Sequence, residues 1–269
     1  MRDIHISDPA WRTTFPHLVA PLPNEWIAGV LLRCDERNFW GSGTTLGHVL
    51  RPGSKRSAMN ELSTIVPTVI DLEALAQALC VPVARIVATT YLAELARLYG
   101  SEHLHAKLLS SSFTFHVCPA CIAEERRLSR LLTLPHITHC PEHHLSLVSS
   151  CQCGATLRLF HRQARPFTCY KCGLDWNNLP HRQMDPARME MEQQLLSSYD
   201  FFWTHGTPEL LASTLRLIYD SVVEKGEIRV ALPNEDAQAA SDGRSYQIST
   251  SLGYLVQALW QLDLSPRDV

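Results

Sequence analysis

Seven of the nine cysteines fall within residues 115–176, in close pairs with histidines among them. Cys118-x2-Cys121 is followed by Cys140-x2-His143, then by Cys151-x-Cys153 and Cys169-x2-Cys172. A gap of one or two residues lets both side chains of a tight turn converge on one ion, and a tetrahedral ion needs two such turns. Four turns therefore make two sites. Taken in order along the chain, the first holds Cys118, Cys121, Cys140 and His143, and the second holds Cys151, Cys153, Cys169 and Cys172. Glycine follows the second thiol in "CQCGA" and "CYKCG", as such turns favour. Two zinc ions are the expected cofactors. Each site is closed by four protein ligands, which leaves no position for water or substrate and points to a structural role. Each ion would supply folding free energy, of the order of 10 kcal/mol in small zinc peptides. That replaces the apolar core that a segment this short and polar cannot build.

The other candidates are weaker. His144 adjoins His143, but the Cys-x2-His spacing favours His143. His116, His136, His139 and His161 read as surface or supporting groups. Cys34 and Cys80 lie on apolar helical patterns and read as buried thiols. Glu124, Glu125 and Asp175 stand near basic residues and read as surface charge. No nucleotide-binding loop, nuclease carboxylate cluster or hydrolase triad is visible, so no enzymatic activity is expected.

The 269 residues allow one large or two small domains, and 45% are apolar, as in ordinary globular chains. No long apolar run predicts a membrane span, and the first residues lack a signal-peptide pattern. The expected compartment is the cytoplasm, where thiols stay reduced and paired cysteines favour metal over disulfides. Net charge is −3 but uneven: residues 1–110 carry 10 basic and 10 acidic side chains, residues 111–183 carry 8 and 4, and residues 184–269 carry 6 and 13. The middle is where a polyanion would be met.

The elements that must position these ligands divide into three: an N-terminal helical region at 1–110, a tandem metal module with short strands at 111–183, and a C-terminal helical bundle at 184–269. The fold class is mainly α. "NEWIAGVLLRCDERN" reads as a helix capped by Asn24. The glycine-rich stretch after it reads as loop, with a basic knot around Lys55 and Arg56. Asp71 caps a helix through Leu79, a break covers Cys80–Pro82, and a second helix is predicted from Val83 to Tyr99, ended by Gly100. This makes a helix-turn-helix candidate, with Ala76 and Ile86 as its small and anchoring residues. Arg85 would be its only charged side chain facing a DNA groove. Arg126, Arg127 and Arg130 are predicted on a helix after the first ligand pair, where they could meet phosphate. The C-terminal region predicts helices over 185–206, over 207–226 with Pro208 in the first turn, and near 251–262.

The order of these features resembles the TniQ family of transposition target-selection proteins. The resemblance is carried by Pro23, Glu25, Gly29, Leu31, Leu32 and Arg33, by the helix-turn-helix candidate, and by the eight ligands with Pro119. It covers roughly residues 20–176. It departs at Val30 and in "LLTLPHITHC", where the family has tryptophans. The resemblance implies a non-enzymatic adaptor that recruits a AAA+ ATPase of the transposition machinery to target DNA. Some members read an attachment sequence, and others dock on a CRISPR effector whose guide RNA chooses the site. The acidic, helical tail favours the docking kind, and a C-terminal bundle would let two copies pair head to tail. The alternative is an autonomous sequence-specific DNA-binding protein, either an attachment-site reader or a zinc-ribbon transcription regulator. A RING-like ligase fits poorly, because seven residues separate His143 from Cys151.

Overall fold

A computed structural model describes residues 14–51, 53–54, 67, 69–100, 115–161, 163–225, 251–265 and 267. Lys55 and Arg56 lie outside these residues. The described helices, in order, are α1 (Ile27–Arg37), α2 (Thr44–His48), α3 (Leu72–Ala78), α4 (Val83–Val87), α5 (Leu92–Tyr99), α6 (Pro119–Glu125), α7 (Pro186–His205), α8 (Pro208–Lys225) and α9 (Leu252–Gln261). Short 3-10 turns cover Arg130–Thr133 and Trp176–Asn178. The expected short strands in the metal module are reduced, among the described residues, to isolated antiparallel bridges such as Val117–Val148 and Leu145–Gln183.

α1 is buried on almost every side, as its unbroken "IAGVLL" run requires. Asn24 does not cap it. Asn24 takes a left-handed φ of 53° and its carbonyl accepts the N–H of Arg130, while Trp26 occupies the cap position. Glu25 is buried and accepts from Leu22 N–H (2.8 Å) and from Arg33 Nε (2.7 Å) and Nη2 (2.6 Å). Burial pushes the Glu25 carboxyl up, and the Arg33 hydrogen bond opposes that shift. Gly29 lies where a Cβ would sit 3.1 Å from Glu25 Oε1 and from the backbone of Leu128, so only glycine lets α1 approach that segment unstrained. The stretch after α1 contains α2, which the glycine-rich sequence concealed. Buried Asp35 caps it by accepting from the N–H groups of Gly43 and Thr45.

Asp71 caps α3 by accepting from Ala74 N–H, as expected. α3 closes with a left-handed residue, Cys80 (φ 55°): its N–H reaches Gln77 and the Val81 N–H reaches Ala76. Cys80 is therefore an exposed helix terminator, not a buried thiol. Cys34 is buried, and its thiol is pushed up to about 12 by desolvation. The continuous helix expected over Val83–Tyr99 is instead two short helices, α4 and α5. The β-branched Thr89 and Thr90 donate their hydroxyls to the carbonyls of Ile86 and Val87. Their own carbonyls accept from Ile27 N–H and Arg130 Nη1, so the helical ladder stops. Ala76 and Ile86 are buried as the motif demands, but the second helix has only five residues.

Asp185 caps α7 with Pro186 in its first turn, and α8 begins at Pro208. α9 packs on α7 and α8, and α5 touches both of those helices. One main apolar core runs from Phe15 through Trp26, Leu31, Ile86, Phe115, Trp176 and Tyr199 to Leu262, and so joins all three sequence-defined regions.

Candidate metal centres

Three of the four ligand turns share one backbone device. In Cys140–His143 the first ligand's N–H meets Leu145 O and its carbonyl accepts from His144 N–H. In Cys169–Cys172 the partners are Leu174 and Gly173, and in the shorter Cys151–Cys153 they are Ala155 and Gly154. The residue after the second ligand has positive φ in every case: His144 (54°), Gly154 (80°) and Gly173 (74°). The Cys118–Cys121 pair is built differently. Cys118 is the N-cap of α6, Pro119 is its first residue, and Cys121 lies one turn along.

These turns bring the eight sequence-predicted ligands into two groups, each with all ligand atoms within 4.8 Å of one another. In the first, His143 Nδ1 lies 3.6, 3.3 and 3.3 Å from the sulfurs of Cys118, Cys121 and Cys140, and the sulfurs of Cys121 and Cys140 are 3.6 Å apart. In the second, Cys151–Cys172 and Cys153–Cys169 are separated by 3.5 and 3.7 Å. Disulfide sulfurs would sit about 2 Å apart. A tetrahedron with metal–sulfur bonds of about 2.3 Å sets sulfurs about 3.8 Å apart. Both donor sets thus fit a tetrahedral, thiophilic ion such as zinc. In the first set, hydrogen bonds with the Cys121 and Cys140 thiols hold Cys118 well below the usual thiol range, and those with Cys118 and Cys140 push Cys121 above it. In the second, the Ala155 N–H lowers Cys153 to about 7.

The spacing favoured His143 over His144, and the structure adds a reason. His143 Nε2 lies 3.0 Å from Glu124 Oε2, which fixes the ring with Nδ1 toward the sulfurs. Glu124 is thus a ligand-orienting group rather than idle surface charge. A buried partner, Glu192 of α7, was not predicted. It accepts from the N–H groups of Thr138 and His139 (3.1 Å each) and from Thr138 Oγ1 (2.6 Å), and lies 2.8 Å from His139 Nδ1. It therefore fastens the C-terminal region to the residues just before Cys140. Nothing local in the sequence marks it, since Glu192 is one of several charged residues along α7.

The candidate phosphate-binding arginines are not a helix face. α6 ends at Arg126, which has φ 55°. Each arginine is drawn to a carboxylate elsewhere in the chain. Arg126 makes two bonds to Asp175 (2.6 and 2.7 Å) and lies 3.4 Å from Glu36. Arg127 bonds Glu142, inside the Cys140–His143 turn, and the Pro23 carbonyl. Arg130 pairs with Glu94 (2.7 Å) and lies over the rings of Tyr91 and Trp203. These are struts from the first cluster to the second cluster, the N-terminal loop and α7. Arg85 is exposed and donates to Pro21 O.

The chain is mainly helical, with two closed Cys/His clusters that could each hold a metal ion. More narrowly, a model of the TniQ family matches residues 16–147, so this part of the chain is a TniQ domain. The match spans α1 to α6 and the whole first cluster and ends before Cys151. Of the signature residues, Gly29 allows the close approach of α1 to Leu128, while Glu25 and Arg33 tie α1 to the Ala20–Leu22 stretch before it. The chain is therefore a transposition-associated protein, and TniQ proteins are non-catalytic transposition factors. No curated protein matches the chain. Among the described residues, no helix is long and apolar enough to cross a membrane.

Proposed function

We propose that this chain is a target-selection adaptor in transposition. It links a complex that has found the target site, a CRISPR effector with guide RNA, to a AAA+ transposition regulator at the target DNA. The TniQ domain is the observation that carries the reading. The internal ties of Arg126, Arg127 and Arg130 add support, because they engage three of the cations that tight autonomous DNA binding, which needs many phosphate contacts, would use. Zinc occupies both clusters in this reading and acts structurally. Two copies pair head to tail through the C-terminal helices, and a solution mass equal to one chain would exclude that pairing.

The test is a tagged pull-down from cells carrying the neighbouring genes, with protein and nucleic acid identified and metal content measured. Co-purification of the ATPase with an RNA-loaded effector is the expected result. Recovery of neither, with sequence-specific duplex binding by the isolated chain, would overturn the adaptor reading in favour of an autonomous DNA-binding protein.

A further inference from the structure

Between Glu142 and Asp175 the sequence holds no carboxylate side chain, yet it carries Arg158, Arg162, Arg165 and Lys171. Arg162 lies outside the described residues. Arg158, Arg165 and Lys171 are exposed, and none is within ion-pair distance of a carboxylate among the described residues. Arg126, Arg127 and Arg130, by contrast, all have carboxylate partners.

The Arg158 guanidinium nevertheless has an internal partner. It lies over the ring of Tyr170, 5.3 Å from the centroid, and that ring also stacks on His161 at 4.7 Å. Tyr170 and Lys171 are the two residues between Cys169 and Cys172, so the second metal turn displays them at its tip. The strand of chain beneath is anchored: Leu157, Leu159, Ala164 and Phe167 are buried, and Ser42 bonds the carbonyls of both Leu159 and Ala164. A cation whose rotamer freedom is already restricted by an aromatic ring, and whose charge no internal anion neutralises, is prepared for an external anion. Arg158 and His161 meet Tyr170, Lys171 follows Tyr170 in the turn and Arg165 lies in the same segment, and several unpaired cations in one segment suit a repeating polyanion better than a single phosphate.

We propose that this exposed face of the second metal module, built on Arg158, His161, Tyr170 and Lys171 with Arg165 in the same segment, binds the sugar–phosphate backbone of nucleic acid. The contact lies beyond the TniQ match and does not depend on which partner selects the target. With so few cations it is weak and salt-sensitive, a contact that positions an already recruited chain.

The test uses the full-length, metal-loaded chain and fluorescence anisotropy. The probes are a labelled mixed-sequence DNA duplex and a single-stranded RNA of equal length, at about 50 mM and about 150 mM salt. Wild type is expected to bind one or both with Kd of about 1–100 µM, and the stronger arm identifies duplex DNA or single-stranded RNA as the source of the backbone. Arg158→Glu combined with Lys171→Glu should weaken that arm about tenfold or more and flatten its salt dependence. Tyr170→Ala should weaken it about threefold while Tyr170→Phe restores it, because the ring and not the hydroxyl holds the guanidinium. Circular dichroism and a metal content of two per chain establish that each variant is folded. If the double variant does not fold, Arg158→Gln and Lys171→Gln alone should each weaken binding about threefold. Absence of binding by wild type at low salt, or unchanged binding by the folded variants, overturns the proposal. So does a change in self-association with no change in anisotropy, which would assign the face to an acidic protein surface.

Discussion

The two clusters use nearly the same ligands and hold them in opposite ways. In the first, Cys118, Cys121 and Cys140 are buried, two ligands come from a helix, and Glu124 steadies the histidine. In the second, all four ligands come from turns, Cys153 is partly exposed and Cys172 is exposed. Around the first stand Arg126, Arg127, Arg130 and Glu192, each reaching a different part of the chain. Around the second, the Tyr170–Lys171 tip faces outward. A metal site at a crossing of struts fixes how regions sit together, and a metal site on an exposed face presents a surface. The difference teaches that ligand type alone does not define what a structural metal does; its surroundings do.

Removing one ligand from each cluster should break the symmetry most strongly. Cys140→Ser strips a buried ligand from the joint and should cost about 5 kcal/mol or more, comparable to the whole stability of many domains. The variant is expected to lose cooperative thermal unfolding. Cys172→Ser removes a ligand from the exposed site, which should lose its ion at about half the cost in stability while the first cluster keeps its own, so that one ion per chain remains. Melting curves with metal analysis decide the matter, and equal losses would show that both sites carry the fold alike.

Chelation probes the same contrast without mutation. Exposure of Cys172 and Cys153 gives a chelator a path to the second ion, so release should be biphasic, with the second site about tenfold faster. The fast phase should be missing in Cys172→Ser. A single phase of two equivalents would contradict the comparison. Glu124→Gln should then sharpen it. Loss of the carboxylate frees the His143 ring and should weaken the first site about tenfold, read by competition with a metal-binding dye, with the second site unchanged.

The ligand set was legible because coordination by tight turns requires short spacings, and no other use accounts for seven thiols so arranged. Helices α1, α3, α7, α8 and α9 were legible from apolar periodicity and from caps such as Asp71. The break at Thr89–Thr90 was not, because the apolar pattern runs on through it while the hydroxyls end the helix. The break at Cys80 was legible, but its exposure was not, because a cysteine beside an apolar helical pattern reads as a buried thiol while the left-handed position that terminates α3 turns it outward. The arginine struts were illegible because their partners are distant: Arg130 reaches back to Glu94, and Arg126 reaches forward to Asp175. A local cluster of arginines looks the same in sequence whether its anions lie inside the protein or outside it.

The smallest expected effect lies in the one backbone position that three of the turns share. Gly154 and Gly173 occupy it in the second cluster with φ of 80° and 74°, and His144 occupies it in the first with φ of 54°. A Cβ at either glycine would meet nothing within 4 Å, so substitution there carries no steric cost beyond the backbone. Gly154→Ala and Gly173→Ala should therefore each lose about 1–2 kcal/mol, the penalty of a left-handed L-residue. His144 is exposed and its side chain makes no hydrogen bond or ion pair among the described residues, so His144→Gly should gain about 0.5–1 kcal/mol, with part of the relief returned as added freedom of the unfolded chain. Denaturant midpoints of the three metal-loaded variants, measured at matched metal concentration, should thus move in opposite directions at the two clusters. A loss on His144→Gly would mean that the imidazole holds the first site through more than its backbone, and the first cluster would then owe its rigidity to both histidines.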